Sequence, residues 1–203
     1  ARDFFPSDDD KSFILILDDV PGQALTVHMA RPQLALTLDQ KWRVAKDLLA
    51  ALAHAHQHAV VHRNLTPGAI LIGQDGTTRI TDFDFAKPGV DRSLTIATDI
   101  VDLVEKAYVA PEAFREPGAA SSASDIFSAG VILYELFTGE RPFAGEPTTV
   151  WDRVGEFLNK PSALRPELNE AFDAWLQSLC AFDEHQRLTA SAALAALNAL
   201  LQP

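Results

Sequence analysis

The stretch around Ile126 to Phe137 constrains this chain more than any other. Ile126, Phe127, Val131, Ile132, Leu133, Leu136 and Phe137 place apolar side chains on nearly every side of a helix. A helix with no face for water has to be surrounded, so it belongs in the centre of a core. Ser124-Asp125 reads as its opening, and Gly139, able to take the left-handed conformation that ends helices, reads as its stop. With 203 residues the chain is in the range of one domain and large enough to bury such a core without disulfides or a structural metal. One compact body is expected.

Elements that could surround the central helix are visible on both sides. Thr37 with Gln40 makes a capping box, after which Trp42, Ala45, Leu49, Leu52 and His56 recur at helical spacing, predicting a helix to about His58. Two amphipathic helices close the chain. Phe172, Trp175, Leu176, Leu179 and Cys180 mark the first, and Leu194, Leu197, Leu200 and Leu201 behind a Thr189 cap mark the second. Short β-prone runs occupy Val60-Val61, Ala69 to Ile72 and Thr77 to Thr81, the last two joined by the hairpin signal Gln74-Asp75-Gly76. Phe13 to Leu17 reads as a buried strand with Phe4-Phe5 as its hairpin partner, and Val20-Pro21-Gly22 as a turn or linker. Between Ala86 and Val109 the sequence is polar and aperiodic, as in a long functional loop.

Apolar residues make up 47% and charged residues 22% of the chain, and no segment approaches the roughly 20 apolar residues of a membrane span. The expectation is a soluble globular protein without membrane partners. The formal charge of -11 repels phosphate backbones, and no local Lys/Arg cluster offsets it, so nucleic acid is not an expected partner. Residues 1–10 contain no basic region followed by an apolar stretch, and the single cysteine, Cys180, can form no internal disulfide. A reducing cytoplasm fits both observations.

The run His62-Arg63-Asn64-Leu65-Thr66-Pro67-Gly68-Ala69-Ile70-Leu71 resembles the catalytic loop of protein kinases, whose usual pattern is H-R-D-L-K-P-x-N-I-L. Four further segments carry the resemblance in the right order. Thr81-Asp82-Phe83-Asp84 stands where that family has D-F-G, and Ala110-Pro111-Glu112 matches the A-P-E that ends its activation segment. Asp125-Ile126-Phe127-Ser128-Ala129-Gly130 is similar to the D-x-W-S-x-G that begins its buried central helix, and Arg187 falls where the family's arginine pairs with the A-P-E glutamate, here Glu112. The resemblance spans about Phe13 to Leu201.

What this resemblance implies is an α+β, mainly α fold: a kinase-like C-terminal lobe, built as a helical bundle with short β-hairpins, over residues 21–203. Residues 1–20 would be the end of the N-terminal-lobe sheet and the hinge. Leu17 falls at the family's gatekeeper position, and the Asp18 carbonyl and Val20 amide fall where a hinge bonds adenine. Leu71 matches the residue that packs beneath adenine, and Asp82 the aspartate that holds Mg²⁺. His62, Phe83 and Asp125 match the family's regulatory spine and its anchor. The glycine-rich loop, the phosphate-binding lysine and its glutamate partner lie upstream of residue 1 in kinases, so an N-terminal lobe is an implied partner.

Against that pattern the chemical groups are missing. Asn64 stands at the base position, and an amide cannot take a proton from a hydroxyl at neutral pH. Thr66 replaces the lysine that neutralises the γ-phosphate, and Ala69 replaces the asparagine that ligates the second Mg²⁺. Glu105 takes the place of a threonine that bridges the catalytic aspartate and lysine, and Asp84 that of the D-F-G glycine. The resemblance thus implies a pseudokinase of bacterial Ser/Thr type, acting as a scaffold or regulatory module toward other protein domains, with ATP and Mg²⁺ binding weak or absent. The alternatives are a divergent active Ser/Thr kinase, with metal at Asp82 and the lysine supplied upstream, and a helical protein-binding module without nucleotide.

Several residues have plainer readings. His62 reads as an architectural core histidine, and Cys180 as packing on an apolar helix face. His54, His56 and His58 alternate along a helix whose successive residues lie about 100° apart, so the three do not converge on one metal. Ser93, Thr95, Thr98 and Tyr108 are candidate phosphorylation sites in the activation segment, with Arg63 as the phosphate partner.

Overall fold

The central helix is α4, Ser122–Thr138, and every residue of it from Ser124 onward except Glu135 is buried. A computed structural model of the chain provides the architecture and describes residues 3–6, 13–16, 19–83, 87–88, 106–143 and 157–202. The helix begins earlier than the Ser124-Asp125 opening predicted from sequence. Ser121 is the cap: its hydroxyl accepts from the Ala123 amide at 3.2 Å, while its own amide donates to the Ser124 hydroxyl at 3.0 Å. Ser124 is therefore the reciprocal partner within the first turn. Gly139 ends the helix at φ 81°, as predicted.

Two helices with apolar faces pack on α4, and a third packs on those two. The helix α2, Leu38–Gln57, starts at the predicted Thr37–Gln40 capping box and buries Val44, Ala45, Leu48, Leu49, Leu52 and Ala53. Chain-terminal helices α6, Glu170–Leu179, and α7, Ala190–Leu200, start at the side-chain caps Asn169 and Thr189. Trp42 of α2 meets Phe137 of α4 at 4.4 Å between ring centroids and Phe172 of α6 at 5.1 Å, edge to face. One aromatic cluster thus ties three helices together. The Trp175 indole N–H donates to the Ala193 carbonyl at 3.0 Å, satisfying the polar end of a buried ring and joining α6 to α7.

Gly130 sets how closely α6 can approach α4. A Cβ there would lie 2.5 Å from Cys180 Sγ and 3.0 Å from Leu179 Cβ. The thiol fills the space a side chain would need, and burial pushes its pKa up to about 12, against the opposing charge of Arg187. Cys180 is an inert packing group, as expected from its place on an apolar face.

Short strands form three small sheets among the described residues. β1, Asp3–Pro6, pairs antiparallel with β2, Phe13–Ile16, as the sequence predicts. β3, Gly22–Ala24, β5, Ile70–Gly73, and β6, Thr78–Ile80, form an antiparallel sheet in the order β3-β5-β6. β4, Val60–Val61, pairs with β7, Lys87–Pro88. The predicted linker at Val20-Pro21-Gly22 is thereby corrected, since Gly22 already belongs to a strand in register with Gly73. Glycine is required there because a Cβ would collide with the Ile72 carbonyl oxygen. That strand runs into a six-residue helix not anticipated from sequence, α1, Leu25–Ala30, which buries Leu25. Two more short helices, α3, Pro111–Arg115, and α5, Pro161–Leu164, each start on a proline.

Candidate functional site

The segment between β4 and β5 is held by one buried carboxylate. Asp125, 1% exposed in the first turn of α4, accepts from the His62 amide and from the Arg63 amide, each at 2.9 Å. His56 Nε2 donates to the same carboxylate at 2.9 Å. These bonds fix a turn in which Arg63 takes φ 70°, a left-handed conformation that costs a non-glycine residue about 1–2 kcal/mol. His56 is a site residue that sequence reading passed over, because Asp125 lies 69 positions away.

His62 links this turn to the segment after β6. Its Nδ1 accepts from the Asn64 amide at 3.3 Å, and its Nε2 lies 2.8 Å from the Thr81 carbonyl oxygen. A carbonyl only accepts, so the ring hydrogen sits on Nε2. The Thr81 amide in turn donates to the Ala69 carbonyl at 2.8 Å. Asp82 follows with φ 57° and an exposed side chain, and the Phe83 ring rests against His62 at 4.7 Å while staying 39% exposed. His62 is buried and architectural, as expected, and the predicted alignment of Asp125, His62 and Phe83 is present.

The substituted catalytic-loop positions lie together. Asn64 and Thr66 line a cavity of about 10 Å³ with Arg63, Tyr108, Ser124 and Ser128, a space too small for a nucleotide. Among the described residues two buried atoms in this corner have no hydrogen-bond partner, Asn64 Oδ1 and Arg63 Nε. Ala69 closes the 3₁₀ turn Pro67–Ala69 and is buried. It presents only a methyl group where a ligand would be needed. Leu71 is half-buried on β5, in register with Ala24 and Arg79, and Val20 is half-buried before β3. Leu17, Asp18, Asp84, Ser93, Thr95, Thr98 and Glu105 lie outside the described residues.

Tyr108 does not suit the phosphorylation expected from sequence. Its side chain is buried, and its hydroxyl donates to Glu135 Oε2 at 2.7 Å. Nearby the Ser128 hydroxyl donates to the Tyr108 carbonyl at 2.6 Å, so α4 holds the end of the activation segment from two sides. Glu112 is held as the sequence implied. Arg187 Nη1 and Nη2 donate to its two oxygens at 2.6 and 2.8 Å, and the Ser124 hydroxyl adds a bond at 2.7 Å. Burial alone would raise the Glu112 pKa, but the bonds and charge of Arg187 outweigh it and hold the carboxyl below its usual range.

A strand-turn-strand loop held by an aspartate of a buried helix, with an aspartate after the next strand and an arginine-clamped glutamate, defines a protein-kinase-type fold. The family model of the protein kinase domain matches residues 2–197, and the chain belongs to that family. It is 30% identical over 177 residues to a probable serine/threonine-protein kinase PknB of Lactococcus lactis, covering 86% of this chain and 28% of the relative. Identity to serine/threonine-protein kinase PrkC of Bacillus subtilis is 32% over 144 residues, 68% of this chain and 21% of the relative. For PknL of Mycobacterium tuberculosis it is 35% over 132 residues, 64% and 32%. The chain thus spans less than a third of the length of these relatives. Among the described residues no helix is long and apolar enough to cross a membrane.

Proposed function

We propose that this kinase domain is a pseudokinase, a scaffold or regulatory module that engages other protein domains and transfers no phosphate. The observation that carries this reading is Asn64 Oδ1, buried at the position of the catalytic base and without a hydrogen-bond partner among the described residues. In an active loop that place needs a carboxylate to accept the hydroxyl proton, and neighbours that can reach it. In this chain the neighbouring positions hold Thr66 and Ala69, and the buried acceptor is left without a donor. Two architectural pairings of the family pattern are formed, Asp125 with the loop amides and Arg187 with Glu112.

The residues of this lobe fit ATP and Mg²⁺ only in part. Asp82 offers an exposed carboxylate that would hold one cation, while the Ala69 methyl cannot ligate a second. Leu17, Asp18, Val20 and Leu71 would be the adenine-facing set, by their places in the family pattern. A bound nucleotide would serve as a ligand that biases the domain's conformation. Residues 1–20 would then act as hinge and sheet edge, and residues 21–203 as the lobe presented to partners.

The test is phosphate incorporation from labelled ATP with Mg²⁺ into the protein and into generic Ser/Thr substrates, using the natural protein that contains this chain. No incorporation above a no-enzyme control is expected. Incorporation that Asp82→Ala abolishes would establish the divergent active kinase instead.

A further inference from the structure

The histidines at the end of α2 divide by face. His56 turns inward to Asp125, whereas His54 and His58, four residues apart, lie together on the exposed side with ring centroids 4.4 Å apart. The three do not converge, but one turn of helix brings two of them side by side. His58 Nδ1 lies 2.8 Å from the His54 carbonyl oxygen, an obligate acceptor, so Nδ1 carries the hydrogen and the Nε2 lone pair is left for another partner. Metal-ligating imidazoles are commonly oriented in this way, with the non-ligating N–H bonded to a backbone carbonyl.

Electrostatics favour a cation at the same place. His58 is the C-cap of α2, so the pair sits on the carbonyl end of a 20-residue helix, where positive charge is stabilised. Among the described residues neither ring makes an ion pair, and no group of three or more metal-ligating side chains forms anywhere. We propose that His54 and His58 chelate one divalent transition-metal ion of the imidazole-preferring class, represented by Zn²⁺, with solvent filling the remaining positions. This site is separate from the catalytic loop and from any Mg²⁺ at Asp82.

The test uses the natural protein with ¹⁵N-labelled histidine and Zn²⁺ alone as probe. Long-range ¹H–¹⁵N spectra should show His58 Nε2 and one ring nitrogen of His54 shifting together and saturating at one ion per chain, while His58 Nδ1 keeps its proton. His185, whose side chain is 85% exposed, serves as the control. Calorimetry should show His54→Ala and His58→Ala each weakening Zn²⁺ binding at least about tenfold, since losing even an outer-shell partner of a ligand has that effect. His185→Ala should bind as the parent does. His54→Ala leaves the His58 cap in place and so keeps the test independent of the helix end. Shifts spread equally over His28, His54, His58 and His185, or unchanged affinity in His54→Ala, would overturn the site.

Discussion

Arg187 grips Glu112 with both terminal nitrogens, at 2.6 and 2.8 Å, and every other donor direction of its guanidinium is also used. Nε donates to the Ala181 carbonyl at 2.7 Å, Nη1 also to Ala123 at 3.0 Å, and Nη2 also to Phe182 at 3.1 Å. Its plane lies over the Phe127 ring at 5.0 Å. One side chain therefore joins the end of the activation segment, the start of α4 and the loop before α7.

Replacing Arg187 with Ala should unfold the domain more easily than any surface change. Breaking a buried pair by removing one partner costs about 3–5 kcal/mol. The Glu112 side chain is 16% exposed and keeps Ser124 as a donor, which places the expected loss near the lower end, about 3 kcal/mol. Chemical denaturation measures it, and an unchanged midpoint would remove the pair from any account of this fold's stability.

The same pair makes stability depend on acidity. Burial raises the Glu112 pKa, but Arg187 and Ser124 more than reverse this, so the folded value lies below the ordinary 4.5. A carboxyl depressed on folding contributes stability that is fully present above its unfolded pKa and is lost as pH falls through its folded one. Urea midpoints taken at pH 7 and at successive steps below pH 4.5 should therefore fall. Glu112→Gln, less stable at pH 7, should lose less over that interval. Parallel curves for the two proteins would assign the acid sensitivity to other carboxyls.

Features with local causes were legible in the sequence, and features made by distant partners were not. The Thr37–Gln40 box, the Gly139 stop and the all-round apolar helix each need only neighbouring residues. Val20-Pro21-Gly22 looks like a turn by composition, yet Gly22 opens a strand because β5 passes alongside. The sequence points to Ser124 as the opening of α4, but the fold makes Ser121 the cap, setting Ser124 against Glu112 at 2.7 Å and Ser121 against Glu184 at 3.3 Å. In the site, the identities of Asn64, Thr66 and Ala69 already show the departure from the kinase pattern. That Asn64 Oδ1 would be buried without a partner, and that Tyr108 would be enclosed by α4, are matters of packing.

Gly130→Ala tests the contact between α4 and α6. The new methyl would meet Cys180 Sγ at 2.5 Å and Leu179 Cβ at 3.0 Å, closer than real Cβ atoms come to sulfur, and overpacking of this kind costs about 1–3 kcal/mol. Removing the sulfur with Cys180→Ala in the same chain should recover part of the loss, because only the Leu179 contact would remain. A double-mutant cycle by denaturation reads the coupling. Additive effects would show that the helices separate to accept the methyl.

Restoring the catalytic loop should not by itself restore an enzyme. Asn64→Asp, Thr66→Lys and Ala69→Asn return a base, a phosphate-neutralising charge and a metal ligand, and the added Asp–Lys–Asn set would give the buried Oδ1 position the donors it lacks. General-base catalysis contributes about 10²–10⁴-fold, whereas positioning supplies about 7–11 kcal/mol of a barrier, so the grip on the triphosphate decides the outcome. In kinases that grip comes from the glycine-rich loop and the lysine of the N-terminal lobe, and no G-x-G-x-x-G occurs in residues 1–203. Two proteins carrying the three substitutions are to be compared, the 203-residue chain and the same chain joined upstream to a kinase N-terminal lobe. Phosphate transfer is expected, if in either, in the longer one, and it should vanish on Asp82→Ala. Transfer by the shorter one would mean that this lobe positions ATP unaided, and that proton transfer rather than the grip on the triphosphate limits the reaction.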